Sequence, residues 1–186
     1  VTDEAGAPPS SGRRLHVPIH LRWGDLDALG HVNNTSMLKL LEEARLRAFW
    51  RPEDGSDAAP TAVFDMSVLE GGGTRATLVA RQEIEYLRPV PYGQRPLDVQ
   101  LWVGAIGGSS VEVCYEVFSA ESGSAPNPRL DDARPTGEEP QVLYARASAV
   151  VVLVDTATGR PTRWRAAERE AWAPYVGESI VYAKRR

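Results

Sequence analysis

The chain has 186 residues, 42% of them hydrophobic and 25% charged, with a formal net charge of -4. That length suits one domain with a core that needs no covalent staples, and the acidic balance lacks the basic footprint of a nucleic-acid binder. A single cysteine, Cys114, excludes an intrachain disulfide framework and a cysteine-rich zinc site, and His16, His20 and His31 lack a spacing such as H-E-x-x-H, so no metal site is expected.

Residues 1–15 are small, polar and rich in Pro, Gly and Ser, and read as a disordered tail. They lack the basic and apolar regions of a signal peptide, and a cytoplasmic location is expected. His16 to Trp23 alternates, with Val17, Ile19, Leu21 and Trp23 on one side, and predicts a strand whose Pro18 places it at an edge or a strand start. A turn-rich connection runs to Gly30. Asn33 and Asn34 then supply caps for a helix over Thr35–Trp50, a stretch without Gly or Pro. Met37, Leu40, Leu41, Ala44 and Ala48 share one side, which Leu38 and Phe49 widen to about half the circumference at 100° per residue. So wide an apolar face predicts a helix embraced by a sheet. Leu46 and Trp50 fall in the polar arc and call for cover from another element.

Strands are predicted over Ala62–Glu70 and Leu78–Arg88, joined by a turn at Gly71–Gly73. This triple glycine is no phosphate loop, since no Gly-Lys-Ser/Thr follows and a strand comes next. Leu97–Ala105 and Val111–Val117 alternate on either side of Gly107-Gly108 and predict a long hairpin. Residues 119–140, rich in Pro, Gly, Ser and Asp, read as a surface insertion. Val142–Val154 is the last long strand, expected to be buried on both faces toward its end, and its aliphatic run Ala149–Val154 is too short to span a bilayer. A short helix is predicted over Arg163–Ala173. The order of strand, long helix and successive antiparallel strands excludes a doubly wound sheet and predicts an α+β domain over residues 16–182.

Chemistry concentrates in Trp23-Gly24-Asp25-Leu26-Asp27-Ala28-Leu29-Gly30-His31-Val32-Asn33-Asn34, just ahead of the predicted helix. A helix N-terminus presents unpaired N–H groups and positive partial charge. Such groups can hold an oxyanion developing on a carbonyl, and a carboxylate a few residues upstream can reach the same place as nucleophile or as base for a water. That pairing suits acyl transfer to water. Asp and Asn are equally the ordinary content of a turn and an N-cap, so the residues alone leave both readings open.

The same stretch, followed by Glu42-Glu43-Ala44-Arg45, resembles the hotdog-fold acyl-CoA thioesterases of the 4-hydroxybenzoyl-CoA thioesterase type. Glu85-Tyr86-Leu87-Arg88-Pro89-Val90 resembles that family's third strand and the turn after it, and Val154-Asp155 with Gly159-Arg160-Pro161 resembles the end of its last strand. The resemblance implies a single hotdog domain, an antiparallel β-sheet wrapped around a long central α-helix. It implies Asp27 as the catalytic carboxylate, the backbone N–H of Asn34 as oxyanion donor, and a site between two subunits, hence a homodimer or homotetramer. Two departures stand out: Met37 occupies a helix position that is often aromatic in the family, and the 119–140 insertion is longer than a hairpin needs.

Other candidates have plainer readings. Asp25 reads as a turn or cap residue. His31 reads either as a locally satisfied turn histidine or as a group that orients Asp27 or assists a proton transfer. Glu43 is the kind of helix glutamate that serves as base in other hotdog thioesterases, but in register with Arg47 it reads as half of a surface pair. Cys114 alternates with glutamates and has no indicated base. Arg88, with Arg81, Arg129, Arg134 and the terminal Lys184-Arg185-Arg186, is available to the phosphates of coenzyme A, though solvated charge is the plainer reading of any one of them. The expected function is hydrolysis of an acyl-CoA thioester to free acid and coenzyme A, which enters as part of the substrate, with no separate cofactor. The alternatives are an acyl carrier protein thioesterase and a non-catalytic acyl-thioester-binding protein on the same scaffold.

Overall fold

The computed structural model describes residues 12–52, 58–64, 73–120 and 140–183. The expected insertion 119–140 and the Gly71–Gly73 turn lie almost wholly outside these residues, as does the greater part of the expected tail.

Five strands form one antiparallel sheet: β1 (Leu15–Ile19), β2 (Arg75–Tyr86), β3 (Leu97–Ile106), β4 (Ser110–Phe118) and β5 (Leu143–Asp155). Their spatial order is β1-β3-β4-β5-β2, so β1 and β2 are the two edges. Pro18 sits opposite Asp98 on the edge strand β1, where a missing N–H costs the sheet nothing on its open side. The helix α1 (Asn34–Phe49) packs mainly against β1 and β3, and α2 (Ala166–Trp172) closes the C-terminal side. A single domain with a five-stranded antiparallel sheet and few helices is consistent with the hotdog fold. No helix among the described residues is long and apolar enough to cross a membrane.

The strand periodicity governs the packing. Leu97, Val99, Leu101 and Val103 of β3, Val111, Val113, Tyr115 and Val117 of β4, and Ala145, Ala147 and Ala149 of β5 all join one core with Met37, Leu40, Leu41, Ala44 and Ala48 of α1.

Several boundaries differ from expectation. The sheet begins at Leu15, and Arg13 N–H donates to the Pro174 carbonyl, so the folded unit starts before the expected boundary at 16. β1 stops at Ile19 rather than Trp23: the chain turns into a short 3-10 segment, Trp23–Asp25, which leaves Trp23 exposed against Tyr92 instead of beside Ile19. Of the strand expected over Ala62–Glu70, residues 62–64 form only an isolated bridge from Phe64 to Trp50, and the rest lies outside the described residues. That bridge supplies the cover Trp50 required. Toward the end of β5 one face is buried throughout, at Ala149, Val151 and Leu153, while on the other Val150 and Val152 are half-buried and Val154 is buried. The expected Arg163–Ala173 helix is shorter, Ala166–Trp172, with Arg165 as its N-cap and Glu168 bonding back to the Arg165 N–H.

The face of the sheet away from α1 is covered as well, which the alternation of polar and apolar residues does not foretell. Residues 177–182 cross it: Gly177 N–H donates to the Val103 carbonyl, Trp102 Nε1 to the Glu178 carbonyl, and Tyr182 Oη bonds Ser148 Oγ at 2.9 Å. Cys114 is fully buried beneath this segment and its thiol is pushed up to about 12, chiefly by burial.

Candidate active site

The candidate site is built from the loop between β1 and α1 and from the chain just after β2. Asp25 closes the 3-10 turn, with its Oδ2 accepting the Arg22 N–H at 2.8 Å and its backbone carbonyl accepting the Asn33 N–H at 2.9 Å. Its buried side chain is committed to the turn.

Asp27, two residues on, is held differently. Its Oδ1 accepts the N–H groups of Leu29 at 2.8 Å and His31 at 3.1 Å, while its own N–H donates to the His31 carbonyl at 2.7 Å. The reversal needs Gly30 in the left-handed region, with φ of 78°. The two amides, that of His31 first, hold the carboxyl below its ordinary pKa, because they bond the ionised form. Both land on Oδ1. Asp27 is therefore a fixed, ionised carboxylate whose second oxygen is not consumed by the turn.

The loop is pinned to the segment after β2: Val32 N–H donates to the Val90 carbonyl at 2.9 Å, and His31 bridges to Pro91. It then feeds α1. Asn33 is the N-cap, with extended φ and ψ of -65° and 143° and a side chain that accepts the Thr35 N–H at 2.8 Å, while its carbonyl accepts the Met37 N–H. The expected start at Thr35 thus moves one residue earlier. Among the described residues nothing accepts the Asn34 N–H, the first amide of the helix. The turn amides are allocated around it, and it lies at the positive end of the helix dipole.

These groups share one cleft of about 320 Å³, lined by Asp27, His31, Val32, Asn34, Met37 and by Tyr86 through Val90. The structure therefore brings Asp27, His31, Asn34 and Arg88 together on one cavity. It leaves Asp25 out of the lining, and pairs Glu43 with Arg47 at 2.7 Å on the half-exposed side of α1. His31 hydrogen-bonds Asp27 through its backbone, and the charge of its ring adds a smaller lowering of the Asp27 pKa. The sequence does not single out Tyr86 as a site residue, yet its hydroxyl donates to the Asn34 carbonyl at 3.2 Å across the cleft. Its position, an aromatic ending a strand directly before Leu87-Arg88-Pro89, is the available signal.

The arrangement offers an anionic oxygen and an unused amide on one open cavity, which is what attack on a carbonyl carbon with stabilisation of its oxygen requires.

The sequence matches the family model described as the thioesterase-like superfamily over residues 21–172. Among solved structures, a thioesterase from Thermus thermophilus, complexed with coenzyme A and Zn, is 30% identical, with 87% of this chain and 93% of that chain covered and a TM-score of 0.54. A predicted thioesterase from Bacillus stearothermophilus is 20% identical over 90% of this chain and 100% of its own, with a TM-score of 0.60, and the DHNA-CoA thioesterase from Staphylococcus aureus is 16% identical over 88% of each, with a TM-score of 0.56. These two show likeness of fold. No curated protein matches the sequence. The family match spans most of the chain, which therefore belongs to the thioesterase-like superfamily.

Proposed function

From that membership and the geometry of the cleft, we propose that the protein hydrolyses an acyl-CoA thioester to a free acid and coenzyme A, as an enzyme of the 4-hydroxybenzoyl-CoA thioesterase type. The observation that carries the reading is that Asp27 and Asn34, the first residue of the helix, line one cleft. The unbonded Asp27 oxygen attacks the thioester carbon, the carbonyl oxygen gathers charge against the Asn34 N–H, and the C–S bond breaks with its electron pair leaving on sulfur. Water then hydrolyses the mixed anhydride and restores the carboxylate. Its lowered pKa keeps Asp27 ionised near neutrality, as this attack requires; the same ionised oxygen would serve equally as base for an attacking water. Arg88, on the cleft wall, is placed to meet a coenzyme A phosphate. Coenzyme A as the thiol carrier is supported by the Thermus relative crystallised with it.

In this reading α1 is the helix that the sheet wraps, and the active unit is a homodimer or a tetramer built from dimers. β2 is an open edge with Leu78 and Val79 exposed, an aggregation hazard in a lone chain. Pairing it with a second copy would cover that edge and wall the cleft of each subunit. The test is thiol release from a panel of acyl-CoA and acyl carrier protein thioesters, with light scattering across a dilution series of the same preparation. Turnover of at least one acyl-CoA by a dimer or larger species is expected. Absence of turnover on every thioester, or full activity in a stable monomer, contradicts the reading.

A further inference from the structure

The first turn of α1 has little packing to hold it. Asn34 and Thr35 are exposed, Ser36 is half-buried, and the first helix side chain in the core is Met37. Its placement depends on polar contacts, and three of these come from the loop that precedes it or lies beside it: Asn33 N–H to Asp25, Thr35 N–H to Asn33, and Val32 N–H to Val90. The first and third act before the helix begins, and the second is the bond from the cap to the first turn. The contact that reaches the helical turn from the opposite wall is the Tyr86 hydroxyl, donated to the Asn34 carbonyl at 3.2 Å.

We propose that Tyr86 is a positioning residue for the oxyanion-stabilising amide, its hydroxyl tying the first turn of α1 to the end of β2 so that the Asn34 N–H stays aimed into the cleft. The inference rests on the acyl-transfer reading given above. The direction of the bond follows from its partners: a carbonyl can only accept, so the phenol must keep its proton. Burial raises the Tyr86 phenol above its ordinary pKa, so it remains a donor throughout the neutral range. The strand end is stiff because Tyr86 is still paired with Ala145 of β5, while the next two amides, Leu87 and Arg88, both donate to the Tyr144 carbonyl. The phenol therefore transmits the position of the sheet to the helix turn. The bond acts on the peptide next to the one that carries the Asn34 N–H, so it fixes the orientation of that N–H without occupying it. An oxyanion donor is effective only when preorganised on the position the oxygen will take, and small misplacements are costly.

Tyr86→Phe keeps the ring as cleft wall and deletes only the hydroxyl. In thiol-release kinetics kcat should fall about fivefold to tenfold, the scale of one ordinary hydrogen bond, with KM unchanged. In an Asn34→Pro background, where the amide is gone, the same substitution should cost nothing further. In ¹⁵N-labelled protein the Asn34 and Thr35 amide resonances should shift or broaden in Tyr86→Phe and stay in place in Tyr92→Phe, a control that alters a tyrosine outside the cleft lining. A wild-type kcat in Tyr86→Phe overturns the proposal, as does a loss that persists undiminished in the Asn34→Pro background. Unshifted first-turn amides overturn it independently of activity. If the wild-type protein turns over no thioester, the acyl-transfer reading fails, and the spectra alone then show whether the tie exists.

Discussion

The two ends of α1 are held by different physics. At its C-terminal end Phe49 meets Trp172 edge-on at 5.7 Å, Trp50 lies 4.9 Å from Phe64, and Trp164 and Trp172 pack at 5.0 Å, all centroid distances. Even the polar atoms there are mostly consumed: Trp172 Nε1 donates to the Thr61 carbonyl and Thr61 Oγ1 to the Ala48 carbonyl. At the N-terminal end the first turn is exposed, a glycine sits at positive φ, and position is set by amides bonded to Asp25, Asp27 and Asn33. One end commits its residues to closing a core. The other places Asp27 and Asn34 on the lining of a cleft. On the proposed reading, stability and chemistry are separated by the length of one helix, and either should change without the other.

The sharpest break of that separation, by size, is at the closed end. Trp172→Ala removes a fully buried ring together with its bond to Thr61 and should cost about 3–5 kcal/mol of stability, read by denaturant unfolding, while kcat per folded molecule stays at the wild-type value. At the open end Asn34→Pro deletes the proposed oxyanion donor. The extended conformation of Asn33 and the first helical position both accept a following proline, so folding should survive while turnover falls by about a hundredfold to a thousandfold. Asn34→Ala keeps the N–H and should retain most activity.

Acid titration sharpens the comparison further. Asp27 is lowered in the folded state, so the stability it contributes is present above the unfolded carboxylate value of about 3.9 and is lost as pH falls through the lower folded value. With the ionised form as the working one, as proposed, kcat/KM should be flat from about pH 8 to about pH 5, with any acid limb below the ordinary carboxylate range. A limb near neutrality would contradict Asp27 as the group that must be ionised. The smallest effect is expected midway along the helix, where Glu43→Gln breaks the exposed pair with Arg47 and should cost less than about 1 kcal/mol, without changing kcat.

Much of this division was legible in the residues. The alternation in β3 and β4 has only one register that buries Val99, Leu101, Val113 and Tyr115, and the hairpin follows from it. The Asp27–Asn34 spacing placed a carboxylate ahead of a helix start. What escaped was set by tertiary contacts. Arg45 reads as a surface residue by type, yet it is buried with its guanidinium 3.3 Å from the Tyr115 hydroxyl. Trp23 continues an unbroken alternation and still leaves the sheet, because Asp25 captures the Arg22 N–H and turns the chain. Trp164 and Trp172 carry no periodic signal over so short a helix, and their partners Phe64 and Phe49 are distant in sequence. Tyr86 was hidden for the same reason, since its partner lies 52 residues away.

The most direct measurement is turnover of the Asp27→Asn protein on the acyl-CoA that the wild type prefers, with unfolding followed on the same preparation. Asparagine keeps the size of the side chain and an oxygen for the Leu29 and His31 amides, and removes the anion. Turnover should fall by at least about a hundredfold, the scale of losing nucleophilic or general-base help, with the fold intact. Near-wild-type turnover in folded Asp27→Asn protein would contradict the assignment of chemistry to this end of the helix.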